Sequence, residues 1–214
     1  MPTRRRLLAL LALLALPLLG TGATHGGKPV PPSTTSSTTS TTIPTYIAPA
    51  PSGTMRNDVD LARWALTAWQ RAAGGTLRFA PAPEETALLR LYWVDGERAG
   101  GFGEMRPIAV GDRFGAEVFV NTNMELLGTE IAAQARADRL YRDTIVYLTC
   151  VHELGHGLGL EHTDVYDDIM YSFQYGGDIP GYFARYRHKL RTRADIARND
   201  GLSPADVAHL RQPR

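Results

Sequence analysis

Three of the six histidines in this 214-residue chain, His152, His156 and His162, fall within one stretch, "HELGHGLGLEH". On a helix, His152 and His156 are one turn apart and present both imidazoles from the same face, where they can reach one cation. Gly155, Gly157 and Gly159 make further helix costly, and Gly159 can adopt the positive φ that turns the chain and returns His162 toward the other two. Three neutral imidazoles at about 2.0–2.1 Å leave the fourth position of a tetrahedral zinc ion open to water, the arrangement of a catalytic site and not of a closed structural one. Glu153, adjacent to the first histidine, stands beside such an ion without having to ligate it, and its carboxylate suits general-base work on a zinc-activated water. The remaining histidines, His25, His188 and His209, are isolated and read as ordinary surface or core residues.

The elements that must position these groups are partly legible. Leu140, Tyr141, Thr144, Ile145, Leu148 and Val151 recur at helical spacing and run directly into His152. Upstream, Leu61, Trp64, Ala65, Ala68, Trp69 and Ala72 form one face of a second amphipathic helix, capped by Asp58 or Asn57 and ended by Gly74 and Gly75. Strands are expected at "TLRFAP", "LLRLYWVD" and "AEVFVNT", whereas the glycine-rich "AGGFGEMRP" reads as either a loop or an edge strand. A last short helix fits "SPADVAHLRQ", with Ser203 as cap and Pro204 in its first turn.

The two ends of the chain differ in kind. Residues 1–23 place Arg4, Arg5 and Arg6 before a short leucine/alanine run and then small residues, the layout of a secretory signal peptide. Residues 24–45 are dominated by glycine, proline, serine and threonine and are expected to form a disordered linker, which leaves 46–214 as the folded domain. Removing residues 1–23 takes three arginines and no acid, so the formal charge moves from +1 to −2, with no footprint for a nucleic acid. The run from Leu7 to Leu16 is short for a membrane span, so no stable span is expected after processing. A secreted or cell-surface monomer acting on a protein or peptide substrate is the expectation. Cys150 is the only cysteine, which excludes an internal disulfide and a lipid-modified cysteine at the signal junction; two residues before His152, it reads as a packed thiol. The basic run from Ala184 to Arg193 reads as a solvated surface.

"HELGHGLGLEH" matches every fixed position of the HExxHxxGxxH signature, and "DDIMY" places Met170 eight residues after His162. On these residues the chain resembles the metzincin zinc peptidases, and within them the matrixins, from "TYIAPAPSGT" to "LSPADVAHLR". The resemblance implies an α+β, zincin-like fold: a twisted, mostly parallel sheet with two long helices and a short C-terminal helix. It implies endopeptidase activity, a methionine turn in which Met170 forms an apolar floor under the metal without binding it, and a substrate laid along the edge segment Gly101–Met105. Gly101, Phe102 and Gly103 are therefore cleft candidates, and Tyr171 and Tyr175 could also line the cleft.

The departures are specific. Residues 95–121 contain no histidine, so one catalytic zinc ion is expected and the family's second, structural zinc is not; the sequence leaves calcium open. The family's Pro-x-Tyr wall is Ser172-Phe173-Gln174, the residue after the third histidine is Thr163, and of the paired aspartates in the last helix only Asp206 is present, with Ala205 at the other position. No cysteine precedes the domain, so the family's thiolate latch is missing. Two functions from different classes fit: a secreted zinc metalloendopeptidase, or a catalytically silent surface binding or adhesion module of the same fold. Retention of Glu153 together with all three histidines favours the enzyme.

Overall fold

The computed structural model describes residues 40–50, 58–96 and 101–212. The signal segment 1–23, linker residues 24–39 and the candidate cap Asn57 lie outside the described residues. Strand β1 (Thr41–Ile47) is followed by helix α1 (Asp58–Ala72), strands β2 (Leu77–Pro81), β3 (Leu89–Val94), β4 (Gly103–Val110) and β5 (Arg113–Asn121), and helices α2 (Thr129–Ala137), α3 (Arg139–Gly157), α4 (Ile179–Arg187) and α5 (Pro204–Leu210). The sheet order is β2-β1-β3-β5-β4. All neighbours are parallel except β4 and β5, which pair antiparallel and put β4 at the edge. The fold is therefore α+β with a mostly parallel sheet and two long helices.

Alternation decides which face of the sheet is covered. Leu89, Leu91 and Trp93 of β3 and Ala116, Val118 and Val120 of β5 are buried at every second position, and they share one core with the apolar face of α1 and with α3. Trp69, fully buried on α1, donates its indole N–H to the Val151 carbonyl of α3 at 2.9 Å, locking the two long helices together one residue before the first histidine. Trp64 is only half-buried, with the Arg193 guanidinium over its ring. Cys150 is buried in the core, where desolvation pushes its thiol well above the usual range.

Several expectations are corrected. Strand β1 already includes Thr41–Thr45, ahead of the expected domain start near Tyr46, because threonine is β-branched and "TTIPT" is strand-competent despite its low-complexity look. Pro44 is tolerated in this interior strand. Its carbonyl accepts from Leu88 N just ahead of β3, so its missing N–H faces the point where that ladder has not yet begun. The ambiguous glycine-rich segment resolves as edge strand β4 from Gly103 onward. Helix α3 continues through Gly155 to Gly157 instead of stopping at the glycines. The basic run is not simply solvated: Arg187 pairs with Asp138 at 2.6 Å, Arg193 with Asp143 at 3.1 Å, and Arg185 with Asp167, tying α4 and the turn after it to the rest of the domain.

Candidate active site

Helix α3 is started by Asp138, whose carboxylate accepts from the N–H groups of Leu140 and Tyr141. Its last turns carry His152 and His156. Gly155 lies between them because a Cβ there would stand 2.5 Å from the Met170 sulfur and 3.0 Å from the Trp69 ring. The glycine is thus required by what presses on the helix, not by the end of the helix. After the helix, Gly159 takes φ +84° and Leu160 N donates back to the Gly155 carbonyl at 2.9 Å, reversing the chain so that His162 faces the other two.

The three Nε2 atoms converge, with separations of 3.2 Å for His152–His162, 3.2 Å for His152–His156 and 3.1 Å for His156–His162. These contacts are not mutual hydrogen bonds. His152 donates from Nδ1 to the Ile169 carbonyl at 2.6 Å, and His156 from Nδ1 to the Leu160 carbonyl at 2.8 Å, so both carry their proton on Nδ1 and present bare lone pairs at Nε2. Facing lone pairs repel unless a cation lies between them. Tetrahedral zinc with Zn–N bonds of about 2.0–2.1 Å needs nitrogens about 3.3 Å apart, close to what is found. Among the described residues this is the one group of three or more His, Cys, Asp or Glu side chains close enough to hold a metal. Burial pushes His152 down to about 3 and also lowers His162, so the neutral, ligating form of each is favoured.

Beneath the histidines lies Met170, fully buried. The turn that carries it is stitched to the chain after His162 by Thr163 N to the Met170 carbonyl at 2.9 Å and Ser172 N to the Thr163 carbonyl at 3.1 Å. From α5, the fully buried Asp206 accepts from Ile169 N at 2.8 Å and Met170 N at 3.4 Å. Ile169 in turn supplies the carbonyl that orients His152, so α5 reaches a metal-site histidine through Ile169 as well as holding the Met170 turn.

Beside the histidines opens a cavity of about 410 Å³ walled mainly by Phe102, Leu148, Tyr171, Phe173, Tyr182 and Phe183. Gly103, Glu104 and Glu153 reach it as well. Glu153 is 7% exposed, and its carboxyl is pushed up to about 8, first by burial and then by the negative charge of Glu104. Of the cleft candidates, Phe102, Gly103 and Tyr171 line this cavity, while Gly101 and Tyr175 do not. The Gly101 carbonyl accepts from the Asn121 side chain at 2.9 Å, and Tyr175 is 64% exposed. Sequence reasoning had not assigned Tyr182 and Phe183 to the site; the aromatic spacing in "YFARY" was the only signal for them.

A family model described as matrixin matches residues 39–179, more than half of the chain and all of the metal-site residues just described. The chain belongs to the matrixin family. Among curated proteins, none matches it. At family level a matrixin is a metzincin metallopeptidase acting on protein substrates, and the converging histidines fit the zinc that matrixins bind. Among the described residues of this matrixin, no helix is long and apolar enough to cross a membrane.

Proposed function

We propose that this matrixin is a secreted zinc-dependent endopeptidase in which Glu153 is the general base. The observation that carries the reading is the convergence of three Nε2 atoms, those of His152 and His156 held as lone-pair donors by backbone carbonyls on their Nδ1–H groups, with Glu153 on the same cavity wall. His152, His156 and His162 would hold zinc, which supplies a Lewis acid that polarises the scissile carbonyl and acidifies water.

The chain's own residues account for the rest. Phe102 shares its carbonyl with Asn121 N on β5, so antiparallel alternation turns the N–H and C=O groups of Gly103 and Met105 toward the open edge of the sheet. An extended peptide can add there as a further strand, with backbone bonds supplying affinity. One of its side chains then enters the aromatic cavity, which fixes the scissile bond over the histidines. Glu153 takes a proton from the attacking water and passes it to the departing amine nitrogen. A carboxyl raised toward neutrality is suited to both halves of that transfer. The secretory layout of residues 1–23 supports export.

Glu153→Gln tests the reading. It should leave zinc bound, because Glu153 is not a ligand, and reduce peptide hydrolysis by about 10²–10⁴ or more. Undiminished hydrolysis would assign Glu153 no role in proton transfer, and a wild-type protein that binds zinc and peptide without cutting would be the adhesion module.

A further inference from the structure

Strand β4 carries a glycine where the sheet would ordinarily carry a side chain. Position 103 lies on the inner face of the strand, in alternation with Met105, which packs against the core. An inner strand position favours a β-branched or other apolar residue, and glycine there weakens the strand. The backbone does not require it, since Gly103 is not among the glycines with positive φ. The space does. A Cβ at 103 would stand 2.7 Å from the Glu153 Cγ, 2.8 Å from its Oε1 and 2.9 Å from the Phe119 carbonyl oxygen. Among the described glycines that a Cβ would crowd, Gly157 meets Leu89, Gly115 the Leu88 carbonyl and Gly181 the carboxylate of its own helix cap, Asp178. Gly103 meets the carboxylate that faces the histidines.

Glu153 depends on that wall. It is 7% exposed, and among the described residues no protein group donates a hydrogen bond to its carboxylate, so among protein contacts its position is set by packing. Its Cγ can yield only by rotation about the Cα–Cβ bond, which carries the whole carboxylate with it to another rotamer. A side chain at 103 must therefore move Glu153 out of its place, or push β4 away from β5 against eight paired positions. The 2.9 Å approach to the Phe119 carbonyl is to backbone and needs β4 to shift slightly as well, but that contact is the same whether or not Glu153 is present, so it does not distinguish the two backgrounds of the test below.

We propose that Gly103 is a positioning residue for Glu153: by lacking a side chain it leaves the space in which the catalytic carboxylate lies beside the three histidines. The role rests on the peptidase reading and adds to it a residue that acts by absence. A larger residue at this position would leave the metal site complete and displace only the base.

A double-mutant cycle tests it. Wild type, Gly103→Ala, Glu153→Ala and the double variant are prepared with zinc, and each is assayed for zinc content, melting temperature, and kcat and KM on one peptide. Gly103→Ala should keep one zinc and lower kcat by about tenfold or more, part of what the base itself contributes, with any change in KM, expected because Gly103 also borders the peptide strand, the same in both backgrounds. In the Glu153→Ala background the same substitution should change residual kcat by less than about twofold, because the group it acts through is gone and the two effects are then strongly non-additive. Equal losses in both backgrounds, or no loss in either, would overturn the proposal. A general folding defect would appear in both backgrounds, so it cannot imitate the expected result. If the wild type cuts nothing, the peptidase reading fails on its own, and the melting temperatures still decide the contact. A loss caused by Gly103→Ala that shrinks when Glu153 is alanine supports it, and equal losses overturn it.

Discussion

Glu153 carries a carboxyl in surroundings that penalise its charge: it is largely buried, and Glu104 faces it with a like charge. In the metal-free protein its proton is held to about 8, against an ordinary value of 4.5. A group whose folded value is raised contributes stability that is fully present below the unfolded value and is lost as pH rises through the folded one. Metal-free wild type should therefore lose stability relative to metal-free Glu153→Gln as pH rises from 5 to 9, by on the order of 4 kcal/mol in urea denaturation. A difference between the two proteins that stays constant over that range would show that Glu153 is not buried as described. His162 makes the complementary prediction. It arrives from a loop, is the most exposed of the three histidines, and completes the lone-pair set. His162→Ala should weaken zinc binding severely, measured by chelator competition, with little change in metal-free stability, since an exposed side chain is removed.

The elements that present these residues were unequally legible. Helices α1 and α3 announce themselves by apolar periodicity, and the Ser203-Pro204 start of α5 by its cap, with Ser203 Oγ accepting from Asp206 N at 3.0 Å. Helix α4 was not legible, because Pro180 and Gly181 look like breakers. They occupy its first turn, after the Asp178 cap, where neither costs a helical bond. Tertiary contacts decide the rest. Gly155 punctuates the sequence as a helix stop, yet the structure uses it to admit Met170, and no local pattern carries that information. Asp206 is similar: one aspartate in a short helix, whose importance appears only when its carboxylate is found on Ile169 N, Met170 N and Ser203 N. Asp206→Ala should strip a buried acceptor from these donors and cost about 3 kcal/mol or more. Because Ile169 orients His152, it should also weaken zinc by roughly 10–100-fold. Ser203→Ala removes the cap and the bond to Asp168 but leaves Asp206 in place. It should cost about 1 kcal/mol and spare the zinc, which separates loss of the helix start from loss of the link to His152.

At the scale of the molecule, the Ser/Thr-rich stretch divides between the domain and what precedes it. Thr41–Thr45 is the part of β1 that pairs with Leu77–Pro81, while Thr45–Ile47 pairs with Leu89–Leu91, so β1 is the strand that joins β2 to the rest of the sheet. Thr45 is buried, and Ile43 packs against the core. A chain cut at Tyr46 would leave β2 with no strand partner among the described residues and would lose several kcal/mol from a margin of about 5–15. Residues 24–39 have a different standing. They hold no cysteine to occupy the fourth position on a zinc ion, and the sole thiol, Cys150, is sealed in the core. The protein should accordingly need no proteolytic activation, and export or access to substrate would be its control. Three proteins decide both points: residues 24–214, 40–214 and 46–214, each loaded with zinc and compared by urea midpoint and by hydrolysis of one peptide. The first two should agree in both measurements, and the third should unfold at lower urea and lose activity with its fold. A silent 24–214 beside an active 40–214 would make the tail an inhibitor. An active 46–214 with an unchanged midpoint would show that the first half of β1 is not needed to hold β2 in the sheet.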